Sequence, residues 1–258
     1  MNGLDFKRKL HAGEHCLGVW ATLSDPAVPA ILSHLGYDWL LVDTEHSPIP
    51  LDTLQTIVLM SQRGGTPAIV RPAWNDPVMI KQVLDLGAEG VLVPMVNSGP
   101  EAERAVQAAK YPPEGRRGWG PNAAAEFGFR TDAYANEAND RIAVIVQIEH
   151  IDAVRNVDDI LAVPGIDGVY IGPGDLSYSL GVPREWDNPK LVAAIQEVMH
   201  KAKAAGVPVG GDASGSVENV VRWAGYGAQF MTVGADTSFM REGAEAMLAS
   251  LRAALPAA

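Results

Sequence analysis

Four short stretches of this 258-residue sequence carry side chains able to do acid–base, electrostatic or metal chemistry together. They are Asp43-Thr44-Glu45-His46, Arg71 before Pro72, Gln147-Ile148-Glu149, and Gly172-Pro173-Gly174-Asp175. Glu149 and Asp175 are two carboxylates placed to converge, an arrangement that serves either a divalent metal or a pair sharing one proton. With oxygen donors and no cysteine pair, the metal would be a hard one, Mg²⁺ or Mn²⁺ in octahedral geometry. A glycosidase acid pair, or two unrelated acids bonded to backbone amides or an arginine, are the alternatives. Asp43 and His46 read as a dyad, because a carboxylate on one imidazole nitrogen fixes the tautomer and raises the basicity of the other. The competing reading makes His46 a structural hydrogen-bonder. Glu45, which shares the alternation of Asp43, is the other candidate acid. Arg71 offers a planar fork for a substrate carboxylate or phosphate, or a salt bridge that positions one of the acids. Gly172, Pro173 and Gly174 allow backbone to come close to a ligand.

These residues matter together only if one architecture gathers them. Apolar runs at 17–22, 39–42, 68–71, 90–94, 142–148, 168–172, 207–210 and 230–234 read as strands buried on both faces. Between them, helical patterns span 26–35, 51–63, 76–86, 100–110, 151–162, 189–205, 216–226 and 237–251. A strand followed by a helix, eight times at about 30 residues per unit, predicts an α/β chain folded as one (β/α)₈ TIM barrel spanning residues 1–258. A doubly wound open sheet is the competitor, but the sequence has no Gly-rich phosphate turn after the first strand. In a barrel, polar residues at the carboxyl ends of strands line one shared site, and the four stretches above occupy such ends. Residues 111–141 break the rhythm, being too long for a plain loop. They read as a solvated excursion, a subunit contact or a lid. The tail 255–258 is expected to fray.

Composition bounds the function. With 20 Lys+Arg against 31 Asp+Glu, the formal net charge of -11 argues against nucleic acid or an anionic membrane as partner. The lone Cys16 excludes a disulfide framework and a cysteine-rich metal site. The start lacks a basic-then-apolar leader, and no apolar run approaches the ~20 residues that span a bilayer. A cytoplasmic enzyme acting on a small anionic substrate is the expectation.

Read as a set, the motifs DTEH at 43–46, VRP at 70–72, KYPPEGRRGWG at 110–120, VQIE at 146–149 and IGPGDLS at 171–177 resemble one family. It is the class II pyruvate aldolases of the 4-hydroxy-2-oxoheptanedioate (hydroxyketoacid) type, whose relatives act on 2-keto-3-deoxy sugar acids. The resemblance covers residues 7–251. It implies a metal-dependent barrel that cleaves 4-hydroxy-2-oxo acids to pyruvate and an aldehyde, using Mg²⁺, Mn²⁺ or Co²⁺. By this resemblance Glu149 and Asp175 are metal ligands, and Arg71 clamps the pyruvate carboxylate and enolate oxygen. His46 with Asp43 moves protons, Gln147 contacts substrate beside the metal, and the backbone at Gly172, Pro173 and Gly174 meets the carboxylate. It also implies a homo-hexamer, a trimer of dimers with helix 237–251 exchanged between subunits. The chain departs from the family pattern at Trp119, Pro121, Gly174, Tyr178 and Gly210-Gly211-Asp212, positions that bear on the aldehyde or the subunit contact. No lysine stands at a predicted strand end, which disfavours a Schiff-base route. A lyase of the citrate-lyase β-chain or malyl-CoA type is the enzymatic alternative, and a non-catalytic assembly subunit the other.

Overall fold

Apolar strands without polar alternation need cover on both faces, and here each is packed between a central core and a ring of helices. The computed structural model describes residues 3–255; residues 256–258 of the expected tail lie outside them. The strands are β1 (Cys16–Ala21), β2 (Trp39–Asp43), β3 (Ala68–Arg71), β4 (Gly90–Val93), β5 (Ala143–Ile148), β6 (Gly168–Ile171), β7 (Val209–Asp212) and β8 (Phe230–Ala235). They close in sequence order into one parallel barrel, β8 pairing with β1. The helices are α1 (Gly3–Ala12), α2 (Ala27–Leu32), α3 (Leu51–Arg63), α4 (Pro77–Asp85), α5 (Gly99–Ala109), α6 (Thr131–Arg141), α7 (Ile151–Arg155), α8 (Val157–Leu161), α9 (Pro173–Ser179), α10 (Pro189–Ala205), α11 (Val217–Tyr226) and α12 (Asp236–Ala254). The predicted (β/α)₈ barrel is therefore present. No described helix is long and apolar enough to cross a membrane.

Alternation along the strands sorts side chains into two cores. Trp39, Leu41, Ile69, Leu92, Ile145, Tyr170 and Phe230 pack together inside the barrel. Residues of opposite parity, such as Val42, Val70, Val91, Val144 and Val169, pack outward against the helices. The interior is closed at its amino end by α1, which the sequence reading did not anticipate. Phe6 and Leu10 are fully buried in the inner core, and the Phe6 ring lies 5.6 Å from that of Trp39.

Four further differences from expectation have local causes. The predicted helix 151–162 is two short helices separated at Asn156, whose side-chain amide donates to the Asn97 carbonyl at 2.8 Å. The 111–141 excursion, already too long for a plain loop, holds a 3₁₀ turn at Glu126–Gly128 and a helix, α6, that its sequence did not lead us to expect. Lys110 pins it, donating to the Asn139 and Ile142 carbonyls, while Arg117 pairs with Asp85 at 2.6 Å. The short α9, directly after β6, was also not anticipated. Finally, β7 runs two residues later than expected, through the Gly210-Gly211 pair that reads as a strand end. Both glycines are required by close packing. A Cβ on Gly210 would lie 1.7 Å from the Phe230 carbonyl oxygen, and one on Gly211 2.4 Å from the Trp223 ring.

Candidate active site

The interior parity that buries Leu41, Ile69, Ile145, Tyr170 and Phe230 brings the next inward residue of each strand to the carboxyl rim. These are Asp43, Arg71, Gln147, Gly172 and Thr232, joined by Trp20 from β1. Asp43 and Arg71 are neighbours in register across β2 and β3. Arg71 Nε donates to Asp43 Oδ1 at 2.9 Å, its Nη1 lies 3.2 Å from Glu45 Oε2, and its guanidinium carbon sits 4.5 Å from the Trp20 ring centroid. A buried guanidinium held on three sides has little rotamer freedom left, so its positive charge is fixed before any ligand arrives. Burial pushes the Asp43 carboxyl up, but Arg71 and the amides of Glu45 and His46 outweigh it and hold the group below the usual carboxylate range.

Glu149 is buried beside this pair. Its Oε1 accepts from the Met95 amide at 2.8 Å and its Oε2 from Gln147 Nε2 at 2.6 Å. Met95 presents that amide from left-handed backbone, φ 53, a conformation that costs a non-glycine residue on the order of 1–2 kcal/mol. Gly172 leaves the space this arrangement needs, since a Cβ there would lie 2.7 Å from Gln147 Nε2 and 3.0 Å from Glu149 Oε2. Burial raises the Glu149 carboxyl to about 7; the Met95 amide opposes this, and the nearby charges of Glu45 and Asp175 add to it. Glu45 is likewise pushed up by burial, against the pull of Arg71 and His46. Asp175, in the first turn of α9, is exposed at the rim.

The structure thus brings Asp43, Glu45, Arg71, Gln147, Glu149, Gly172 and Asp175 into one electrostatic neighbourhood. It does not form the side-chain dyad expected of Asp43 and His46. The Asp43 carboxylate is occupied by Arg71, by the amides of Glu45 at 3.0 Å and His46 at 3.4 Å, and by the Ser47 hydroxyl at 3.4 Å. This is the short-range aspartate turn that starts a loop. The chain leaves the strand at Asp43, so the imidazole swings outward, with Nε2 3.7 Å from Glu45 Oε2. His46 therefore faces Glu45. Sequence reasoning also missed Trp20 and Met95, and it noted Gly210-Gly211-Asp212 as a departure from the family pattern without counting Asp212 among the site residues; inward parity would have signalled Trp20 and Asp212, whereas a backbone amide leaves no signal in residue type.

The donor set suits a hard cation. The charges of Glu45, Asp175 and Arg71 all act on Glu149, and Gln147 Oε1 is buried without a hydrogen-bond partner. Among the described residues, no group of three or more His, Cys, Asp or Glu is arranged to hold a metal ion by itself. Two protein carboxylates with the remaining positions open is how Mg²⁺-type ions are commonly held.

A parallel barrel that brings a buried arginine and several carboxylates to its carboxyl rim has the layout of a (β/α)₈ barrel enzyme. A family model described as HpcH/HpaI aldolase/citrate lyase matches residues 17–242, and the chain belongs to this family. It is 41% identical over 245 residues to the 4-hydroxy-2-oxo-heptane-1,7-dioate aldolase of Salmonella dublin, covering 95% of this chain and 93% of that one. The enzyme of the same name from Klebsiella pneumoniae is also 41% identical over 245 residues, 95% of this chain and 92% of the relative. The crystal structure of an HpcH/HpaI aldolase/citrate lyase family protein from Burkholderia cenocepacia superposes with a TM-score of 0.92 at 32% identity, covering 96% of this chain and 99% of that one.

Proposed function

We propose that this chain is a divalent-metal-dependent carbon–carbon lyase that reversibly cleaves 4-hydroxy-2-oxo acids to pyruvate and an aldehyde. The observation that carries the reading is a single immobilised arginine among several carboxylates at one rim. Glu149 and Asp175 would hold the cation, with Gln147 and the Met95 amide fixing the direction of Glu149. Bound there, a divalent ion supplies Lewis-acid stabilisation of the charge that develops on the 2-oxo oxygen. Arg71 binds the substrate carboxylate and adds fixed positive charge beside that oxygen, with the backbone of Gly172, Pro173 and Gly174 on its other side. Cleavage removes a proton from the 4-hydroxyl, breaks the C3–C4 bond and returns a proton to C3. His46 and Glu45, facing each other at the rim, are the groups placed to carry those protons, while Asp43 holds Arg71 and the turn that carries His46.

The same reading includes assembly as a homo-hexamer with α12 exchanged between subunits. In support, Asp236 is the one buried residue of α12, whereas Met240, Met247, Leu248 and Leu251 are exposed. Removing metal with EDTA should abolish pyruvate release and the exchange of pyruvate methyl protons with solvent, and Mg²⁺, Mn²⁺ or Co²⁺ should restore both. Full activity in excess chelator, with substrate trapped by borohydride, would overturn the reading.

A further inference from the structure

The carboxyl end of β7 carries one more acid, Asp212, which unlike Asp43, Glu45 and Glu149 has no share in Arg71. Gly210 and Asp212 share a face of the strand, and a Cβ on Gly210 would lie 2.8 Å from Cγ of Phe230, a residue of the inner core. Asp212 therefore points over the barrel interior, level with Thr232 across β8 and one strand away from Gly172. Its Oδ1 is saturated: it accepts from the Ser214 amide at 3.1 Å, from the Ser214 hydroxyl, and from Thr232 Oγ1 at 3.1 Å. Thr232 is in turn 2.5 Å from the Tyr170 hydroxyl, and both residues are fully buried. A carboxylate anchored through one oxygen by this hydroxyl relay is rigid. Among the described residues, no hydrogen bond is made by Oδ2 and no cation pairs with Asp212, whereas Asp43 and Glu45 both share Arg71.

A fixed, unpaired anion beside a substrate site accepts hydrogen bonds from ligand hydroxyls and repels ligand carboxylates. The carboxylate of pyruvate belongs with Arg71, so Asp212 faces the other half of the substrate. Resting on the aldolase reading above, we infer that Asp212 is a specificity-determining residue. It selects an uncharged, hydroxylated aldehyde through Oδ2 and disfavours aldehydes that carry a carboxylate. This would separate the chain from the two relatives named for a heptanedioate substrate, whose far end is an acid.

The test is a competition of aldehydes with the Mn²⁺-loaded enzyme and pyruvate. Glyceraldehyde and glycolaldehyde should exceed succinic semialdehyde in kcat/KM by about tenfold or more. Asp212→Asn should collapse that ratio by about tenfold, mainly through a lower KM for succinic semialdehyde, and leave exchange of pyruvate methyl protons at the parental rate. A measurement needing no variant accompanies it. Raising NaCl to about 0.5 M should improve kcat/KM for succinic semialdehyde but not for glyceraldehyde, because screening weakens repulsion only. An unchanged ratio in the Asp212→Asn enzyme, or parental preference for succinic semialdehyde, overturns this inference while proton exchange persists. Absence of metal-dependent exchange in the parent overturns the aldolase reading and this one with it.

Discussion

At the amino end of the barrel one carboxylate, Asp167, is flanked by two lysines and a histidine. Lys7 Nζ is 3.0 Å away, His11 Nε2 3.2 Å, and the charge of Lys110 acts on the same group, while Oδ2 accepts the Val144 amide at 2.8 Å. At the carboxyl end the ratio is inverted, with Asp43, Glu45 and Glu149 all acting on the single cation Arg71. The consequences for charge are opposite. Burial raises both Asp167 and Glu149, but His11, Lys7 and Lys110 reverse the effect at Asp167 and hold it below the usual carboxylate range. Nothing comparable rescues Glu149, which stays near 7. Buried charge is thus no sign of a functional site in itself. The balanced end is a structural clasp, and the end with surplus negative charge is the one where the proposed cation would be held.

Substitutions at the two ends should separate on this basis. The largest effect is expected from Asp167→Asn, which strands Lys7 and Lys110 and should cost about 3–5 kcal/mol in denaturant unfolding while kcat stays within about twofold of the parent. Its pH dependence has a definite sign. The Asp167 carboxyl is lower in the folded chain than in the unfolded one, so its stabilisation is present above the ordinary carboxylate range and is lost as pH falls through the folded value. The acid limb of stability should therefore be flatter in Asp167→Asn. Loss of kcat with unchanged stability would contradict the assignment of this end as a clasp. Next, Arg71→Ala should lower kcat/KM by about 10²–10³, the range for removing one fixed donor from a developing oxyanion. Normal pyruvate proton exchange in that variant would remove Arg71 from the chemistry. The smallest effect is expected from Gln147→Leu, which leaves Glu149 Oε2 without its donor. Mn²⁺ affinity, read by electron paramagnetic resonance, should weaken by about 10–100-fold, and unchanged affinity would show that Gln147 does not orient Glu149.

The barrel was legible because eight apolar runs alternate with eight helical patterns and no Gly-rich phosphate turn follows the first, and because Arg71, Glu149 and Asp175 stand where strands end. What stayed hidden has physical reasons. The plug α1 precedes the first strand and declares itself only through Phe6 and Leu10, whose partners are far along the chain. Gly210-Gly211 reads as a terminator but is a close-packed strand interior, so Asp212 fell outside the predicted strand. The pairing of Asp43 with backbone amides instead of His46 depends on a turn geometry that spacing alone does not specify. Met95 works through its main-chain N–H, which every residue type except proline shares.

The seating of α1 also orders events during synthesis. Its Gly3 amide bonds Glu89, 86 residues later; Lys7 meets the Ile142 carbonyl after 135 residues, and His11 meets Asp167 after 156. This helix is translated before every strand of the barrel and is therefore among the last elements to find its place. Until β6 has been translated, the buried face of Phe6 and Leu10 has no finished floor to dock on. A barrel truncated before that strand would expose both its own open end and the stopper made to close it.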